Sequence, residues 1–287
     1  MAYIVHGATG AQGFPVLTAL IAAGKQAVAA VRTPAGLPEG VDAVSVDLSD
    51  ADALTVAYTG AEGVFVHLPM DGSDRAPAYV EAITAAVAAA RPGRVVISTS
   101  GQVVDQPGTP LQAPENSPLA TLIRNIIDTG VPTAVVAPRL YLENLLLPVV
   151  AGPAAEEGVL RYPLPEAFPV SWSSHLDVAD VVVRLLSDTS ETGTIAIGHL
   201  PGLTGPDLAR GFSERLGREV RYEAISPEEF GEMITPLFGA EAASPVIRLY
   251  QALNALDGNT IVKANSAQTL LGLTPRTVVS WLGAVGA

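Results

Sequence analysis

Short apolar runs alternate along the first half of the chain with longer stretches in which apolar residues recur every three or four positions. This alternation predicts a parallel sheet whose strands are joined by helices that cover both of its faces. The predicted strands span residues 3–6, 26–32, 41–46, 63–68, 94–97 and 131–136. The predicted helices span residues 11–23, 75–90 and 116–128, with a short helix after residue 49. Six strands joined by crossovers predict a doubly wound α/β fold, which binds ligands at the carboxyl ends of its strands.

The pattern changes after Glu143. Residues 150–170 are rich in Pro, Gly and Glu, which predicts excursions away from the sheet. Three stretches with helical periodicity and one candidate strand follow. They span residues 177–187, 206–216 and 227–238 for the helices and residues 194–197 for the strand. We therefore expect a core over residues 1–150 and a smaller α/β subdomain over residues 151–287, some of whose segments return to the core.

The composition narrows the possible partners. The chain has 287 residues and a net charge of −13, so its surface repels phosphate backbones and anionic lipids, which disfavours nucleic-acid and membrane partners. The absence of cysteine excludes disulfides and thiol nucleophiles, and the four histidines lack metal-ligand spacing, so no metal is expected. With no signal peptide and no apolar run of about 18 residues, a cytoplasmic location is expected. The apolar helices are compatible with a homodimer or with burial inside one chain.

A glycine-rich turn separates the first strand from the first helix. Glycine recurs with Gly-x-x-Gly-x-x-Gly spacing in the segment Gly7-Ala8-Thr9-Gly10-Ala11-Gln12-Gly13. Such glycines permit a tight turn, close approach of a pyrophosphate to the backbone, and close packing of helix on strand. The position between strand and helix favours a dinucleotide-binding Rossmann core over a turn without a ligand. The predicted cofactor contacts here are Gly7, Thr9, Gly10, Ala11, Gln12 and Gly13.

Further stretches, in their order along the chain, carry a family resemblance. They are Asp47-Leu48, Tyr141-Leu142-Glu143-Asn144, residues 175–180, Leu203-Thr204, Leu216-Gly217-Arg218 and residues 270–277. Together with the glycine spacing, they make the whole chain resemble the atypical short-chain dehydrogenases, specifically the NmrA-like group. The resemblance implies an NAD(P)-binding core and a substrate-covering subdomain. The group includes quinone reductases, tailoring enzymes for aromatic, polyketide-like natural products, and proteins that bind NADP(H) and report redox state to a partner.

The second strand ends at Arg32, where NAD-binding proteins usually place an acidic residue. A guanidinium can hold a 2′-phosphate and stack on adenine, although a solvated arginine at a strand end is the alternative. In the resembling group, arginine at this place accompanies NADP(H), so NADP(H) is favoured and NAD(H) is the second choice. Asp47 and Leu48 are expected to flank the adenine, and Leu68 and Pro69 to lie near the ribose and nicotinamide.

The usual catalytic pair of the short-chain dehydrogenases is missing. Those enzymes place tyrosine four residues before lysine, and neither Lys25 nor Lys263 has such a tyrosine. The helix that would carry the lysine offers Arg124, which is too weak an acid to replace it in a proton relay. Two routes remain: hydride transfer to an acceptor that needs little acid help, such as a quinone, or binding without chemistry.

Candidate residues for the reacting end come from the carboxyl edge of the sheet. Ser98, Thr99 and Ser100 can hydrogen-bond the nicotinamide or a substrate oxygen, or else satisfy local backbone. Ser100 and Tyr141 are candidate catalytic residues. The resemblance implies that Tyr141 and Asn144 contact nicotinamide and substrate, and an ordinary aromatic and amide at a helix start is the alternative.

His175 is the expected proton donor because an unperturbed imidazole has a pKa near 6.5. A structural role is the alternative, and His6 and His67, on or beside core strands, are expected to be structural. Trp172 is a candidate for stacking on a flat substrate, together with other aromatics in the same region, or for the core of the subdomain. His199 lies in a predicted loop to which the sequence assigns no role.

The sequence thus supports an NAD(P)H-dependent oxidoreductase that acts on a quinone or a polycyclic aromatic substrate. The hydroquinone produced could then react with O₂ and give a net oxygenation. An NADP(H)-binding redox sensor without catalysis is the main alternative, and an isomerase or lyase that uses the cofactor only as a scaffold is a third.

Overall fold

The computed structural model describes residues 2–69 and 74–287, which form two compact units. Unit 1 comprises Met1–Pro138, His175–Ala196 and Ala264–Leu273. Unit 2 comprises Arg139–Ser174, Ile197–Lys263 and Thr274–Ala287. The chain therefore passes between the units repeatedly instead of completing one before it begins the other.

The strands and helices are numbered in chain order. The strands are β1 Tyr3–His6, β2 Ala27–Val31, β3 Asp42–Ser45, β4 Gly63–His67, β5 Val95–Ser98, β6 Thr133–Pro138, β7 Val159–Tyr162, β8 Gly193–Ile197 and β9 Arg221–Ala224. The helices are α1 Gly13–Ala22, α2 Ala51–Tyr58, α3 Ala76–Ala90, α4 Pro118–Asp128, α5 Pro148–Glu156, α6 His175–Ser187, α7 Gly205–Leu216, α8 Pro227–Phe238, α9 Ala240–Asn254, α10 Ala267–Leu271 and α11 Val278–Ala284. Short 3₁₀ helices lie at Leu142–Leu146 and Lys263–Asn265.

The main sheet has the strand order β3-β2-β1-β4-β5-β6-β8. The pairs β1–β2, β1–β4, β2–β3, β4–β5 and β5–β6 are parallel. This arrangement confirms the predicted doubly wound parallel sheet, whose strand order reverses direction between β1 and β4. In such sheets the crevice at the reversal, outside the carboxyl ends of the strands, is the usual ligand site.

Helices cover this sheet because their apolar residues fall on one face. In α1 the buried face carries Val16, Leu17 and Leu20, each with 0% of its surface exposed. In α4 the buried residues are Leu119, Leu122 and Ile126, which have the three- and four-residue spacing of a helix face. The helix α6, from the second half of the chain, packs against α1 within unit 1.

Unit 2 contains elements that the sequence did not predict. The strands β7 and β9 form a two-stranded parallel sheet, with Val159 paired to Arg221 and Tyr162 to Ala224. The helices α5 and α9 were also not foreseen, whereas α8 has the predicted bounds. Within the described residues, no helix combines the length and apolar character needed to cross a membrane.

Candidate functional site

The glycine loop between β1 and α1 is shaped by contacts that exclude side chains. Gly7 has φ +60°, and a Cβ there would lie 2.3 Å from Nε2 of His67. A Cβ on Gly13 would lie 2.2 Å from the carbonyl oxygen of Gly7 and 2.4 Å from that of His6. The N–H of Gly10 donates to the Gly7 carbonyl over 2.8 Å, which closes the turn. The sequence therefore needs glycine at positions 7 and 13 for the backbone to fold this way.

The exposed side of the loop leads into the N-terminus of α1. Thr9, Gly10 and Ala11 are exposed, and Gly13 is buried. No side chain caps the helix start at Gln12, so the first backbone N–H groups of α1 remain without a side-chain acceptor. Backbone N–H groups at a helix start and the positive end of the helix dipole suit a phosphate.

A cavity of about 570 Å³ in unit 1 adjoins this loop. Its lining is His6, Gly7, Thr9, Ala30, Val31, Arg32, Thr33, Val46, Asp47, Leu48, His67, Pro69 and Tyr79. The structure thus brings six predicted cofactor residues together around one cavity: Gly7, Thr9, Arg32, Asp47, Leu48 and Pro69. Leu68 is next to the lining but is 7% exposed, so its side chain faces the core.

Opposite charges meet where β2 and β3 end beside the cavity. Arg32 is exposed, and Asp47 pairs with Arg75, whose Nη2 lies 3.0 Å from each carboxylate oxygen. Ser49 donates its hydroxyl and its backbone N–H to Asp47 Oδ1 over 2.6 and 2.9 Å. These hydrogen bonds from Ser49, followed by that from Arg75, lower the pKa of Asp47 to about 2. The carboxylate is therefore ionised at neutral pH.

Arg75 and Tyr79 escaped the sequence analysis, and His67, for which the sequence predicted only a structural role, also lines the cavity. Arg75 stacks over the ring of Tyr79, with its guanidinium carbon 5.1 Å from the ring centroid. The spacing of these two residues, one turn apart at the start of α3, is a signal that could have paired them. His67 is the last residue of β4, a carboxyl-edge position that also could have placed it at the cavity.

A hydrogen-bond network ties the loop to the end of β5. Ser98 Oγ donates to Gln12 Oε1 over 2.7 Å, and Gln12 Nε2 donates to Ser100 Oγ over 2.9 Å. Ser100 has φ +53°, an uncommon conformation for a residue with a side chain. The buried hydroxyl of Thr99 has no hydrogen-bond partner among the described atoms. Ser98 and Ser100 therefore hold Gln12 in place, and their contact with a cofactor stays a prediction.

Burial keeps the histidines of unit 1 neutral. His6 is 2% exposed and lies 2.7 Å from the Tyr58 hydroxyl through Nε2, and burial, with a smaller effect of His67, lowers its pKa to about 3. Burial also lowers the pKa of His67. His175 begins α6, and burial together with His67 lowers its pKa to about 4. At pH 7 only about one His175 in a thousand is then protonated, so it suits hydrogen bonding better than proton donation.

The remaining predicted residues lie in unit 2. Trp172 is 1% exposed and packs edge-on against Tyr162, with 5.5 Å between ring centroids. Tyr162 in turn hydrogen-bonds Tyr250, and the Asn144 side chain hydrogen-bonds this tyrosine pair. Trp172 and Asn144 thus belong to the aromatic core of unit 2.

Two further residues complete the account of unit 2. The half-buried Tyr141 lies beside Ser173, to which its backbone is bridged. His199, which the sequence left without a role, binds the Trp172 carbonyl through Nδ1 over 2.7 Å. Within the described segments, no group of three or more His, Asp or Glu side chains could hold a metal ion.

Comparison with known proteins yields consistent matches. A family model described as the NmrA-like family matches residues 3–282. The chain is 29% identical over 258 residues to an NAD(P)H azoreductase of Xenophilus azovorans, covering 87% of this chain and 86% of the relative. It is 26% identical over 240 residues to quinone oxidoreductase 2 of Escherichia coli K12, covering 79% and 78%. The solved structure of Citrobacter sp. triphenylmethane reductase with NADP(H) aligns with a TM-score of 0.78 and 19% identity, over 98% of this chain and 99% of that one.

Proposed function

Because this chain belongs to the NmrA-like family, as its sequence predicted, we propose that it is an NAD(P)H-dependent oxidoreductase whose acceptors are quinones and related conjugated aromatic compounds. The observation that carries the proposal is the glycine loop, where Gly7 and Gly13 leave no room for a Cβ and Gly10 lies exposed beside a helix start. This cradle fits a pyrophosphate, because a side chain on the exposed glycine would hold the phosphates away from the backbone.

Residues on each side of the cavity suit the adenosine half of the dinucleotide. Arg32 is exposed at the end of β2, in the position that favours a 2′-phosphate, and no acidic residue stands there. Leu48 and Tyr79 provide apolar lining for an adenine ring. NADP(H) is therefore the preferred cofactor and NAD(H) the second choice, which agrees with the NADP(H) bound in the Citrobacter reductase.

The nature of the acceptor follows from the weak acid chemistry of the chain. When bound, the reduced nicotinamide supplies a hydride, and the reduced acceptor then needs a proton. The sequence has no tyrosine four residues before a lysine, and His175 is neutral at pH 7 because its pKa is about 4. A quinone tolerates this deficit, since its reduced oxyanion is delocalised and water can protonate it. The azo, quinone and triphenylmethane substrates named for the three relatives are likewise conjugated.

Specific roles for the reacting end remain part of the proposal. Ser100 accepts a hydrogen bond from Gln12, so its own hydroxyl proton can be directed to an acceptor oxygen. His175 can orient the same kind of oxygen as a neutral imidazole. The contacts of Tyr141 and Asn144 with nicotinamide and substrate stay predictions from the family resemblance. We leave Trp172 out of the substrate contacts because its side chain is 1% exposed.

The test follows absorbance at about 340 nm with the purified protein, NADPH or NADH, and panels of quinones, azo dyes and triphenylmethane dyes. We expect protein-dependent loss of signal with quinones, faster with NADPH than with NADH. A Gly10→Ala variant, which should keep the fold but obstruct the phosphate position, should be much slower at NADPH concentrations that just saturate the unaltered protein. Tight NADPH binding without oxidation by any acceptor would contradict the proposal and favour the redox sensor.

An oxygen electrode tests the proposed oxygenation. Without O₂, one NADPH and one proton should convert one quinone to one hydroquinone. In air, a hydroquinone that returns its two electrons and two protons to O₂ gives quinone and hydrogen peroxide, whereas oxygenation gives a product that contains an oxygen atom from O₂. Mass spectrometry with ¹⁸O₂ separates the two results, and absence of label would refute net oxygenation while leaving quinone reduction intact.

A further inference from the structure

We propose that Arg75 determines cofactor specificity by neutralising Asp47, so that the cavity beside Arg32 accepts a 2′-phosphate. The inference rests on the proposed function, because it takes this cavity as the adenosine end of the dinucleotide site. Arg75 itself is not among the lining residues, whereas Arg32 and Asp47 are. Its effect is therefore exerted through the carboxylate that it holds.

Hydrogen bonds from one nitrogen of Arg75 and stacking of its guanidinium hold this side chain on the carboxylate. Its Nη2 lies 3.0 Å from both oxygens of Asp47 and 3.0 Å from the Ser49 hydroxyl. Its guanidinium stacks on Tyr79, another residue of the cavity wall. A planar guanidinium can make these contacts together, which a lysine ammonium cannot reproduce because it has no flat face to stack.

Charge explains why this contact bears on the cofactor. Asp47 at the end of β3 and Arg32 at the end of β2 line the same cavity, and the carboxylate is ionised at neutral pH. An unpaired carboxylate would repel a dianionic 2′-phosphate and would cancel the charge of Arg32. With Arg75 in place, the three side chains together carry one net positive charge, which suits the phosphate. Without Arg75 their net charge is zero.

The same pair contributes little to folding. The side chains of Arg75 and Asp47 are 47% and 41% exposed, and ion pairs this exposed to solvent add little to stability. A structural role alone would therefore predict almost no consequence when Arg75 is replaced. Loss of discrimination between NADPH and NADH is the signature of a role in specificity.

The experiment measures the binding of NADPH and NADH by fluorescence titration, without any acceptor. Arg75→Met retains the apolar stem and removes the charge, and we expect it to weaken NADPH binding about tenfold while changing NADH binding less than about twofold. The double variant Arg75→Met/Asp47→Asn removes the repelling charge as well, so it should recover NADPH affinity to within about threefold of the unaltered protein. Arg75→Lys keeps the charge but has no flat face to stack on Tyr79. Its NADPH affinity should lie between that of Arg75→Met and that of the unaltered protein.

Arg184→Met is the matched control, because Arg184 in α6 forms an ion pair of similar exposure with Asp188, which directly follows this helix, and neither residue lines the cavity. It should leave both affinities unchanged. Equal weakening of NADPH and NADH by Arg75→Met, or no recovery in the folded double variant, would overturn the inference while leaving the cofactor site in place. Failure of the unaltered protein to bind NADPH would overturn the cofactor site and the inference together.

Discussion

Replacing Gly10 with alanine separates cofactor binding from folding. A Cβ at this position would meet only the Gly7 carbonyl oxygen, at 3.3 Å, and the residue has no positive φ that would strain an alanine. Alanine also reduces the entropy of the unfolded chain, so the net change in the free energy of unfolding should stay within about 1 kcal/mol. The fold of unit 1 should therefore survive the substitution.

The effect on the cofactor should be larger. The added methyl group stands on the exposed side of the loop and prevents a phosphate from reaching the backbone N–H groups. A hydrogen bond to a charged group contributes about 1.5 to 3 kcal/mol, so losing one weakens NADPH binding by roughly thirtyfold. Fluorescence titration gives this affinity, and urea unfolding gives the stability of the same sample.

Alanine substitutions at two other glycines serve as controls for Gly10→Ala. Gly13→Ala places a Cβ 2.2 Å from a backbone carbonyl oxygen and should destabilise the protein by about 3 kcal/mol. At Gly152, within α5, an added Cβ would have no atom within 4 Å. Gly152→Ala should therefore raise the free energy of unfolding by up to about 1 kcal/mol and keep full NADPH affinity. If folded Gly10→Ala binds NADPH as tightly as the unaltered protein, the dinucleotide does not use this loop.

Two further predictions concern acid stability and the core. The folded-state pKa values of His6 and His175 are about 3 and about 4, below the unfolded value, so stability falls as the pH drops below about 6.5. Between about pH 7 and about pH 5, His175 should lower the free energy of unfolding by about 2 kcal/mol. Urea unfolding of His175→Asn should therefore show a shallower pH dependence than the unaltered protein. Equal pH dependence in the two proteins would contradict this prediction. In the same assay, Trp172→Ala should lower the free energy of unfolding by about 3 to 5 kcal/mol. Trp172→Phe should lower it less and leave the KM for quinones unchanged. A raised KM with intact stability would instead place Trp172 at the substrate.

Local signals made the first half of the fold predictable. From β1 to β6, each strand of the main sheet except the exposed edge strand β3 is mainly a short apolar run next to a turn or a helix start, and the glycine loop marks the first crossover. The strands β7 and β9 escaped because neither is a run of apolar residues. Arg161 interrupts β7, and β9 carries Arg221 and Glu223, so neither segment has the apolar pattern of a buried strand.

The residues of the candidate site were likewise only partly predictable from the sequence. Arg32 and Asp47 follow strands that the pattern predicts, so their arrival at one sheet edge could be inferred. Arg75 contacts Asp47 only because α3 begins beside the end of β3, and that placement depends on the crossover geometry. Trp172 illustrates the opposite limit, because an aromatic residue in a polar stretch fits a substrate wall and a core equally well until its burial is known.

The way the two units share the chain has a consequence for protein engineering. The sheet of unit 1 requires β8, which ends at Ile197, and unit 1 as a whole also requires the later segment Ala264–Leu273. Unit 2 depends equally on residues up to its C-terminal segment, Thr274–Ala287. Neither unit can therefore be produced by a single cut in the gene, and a transplant of unit 2 onto a related cofactor domain has to exchange three segments together.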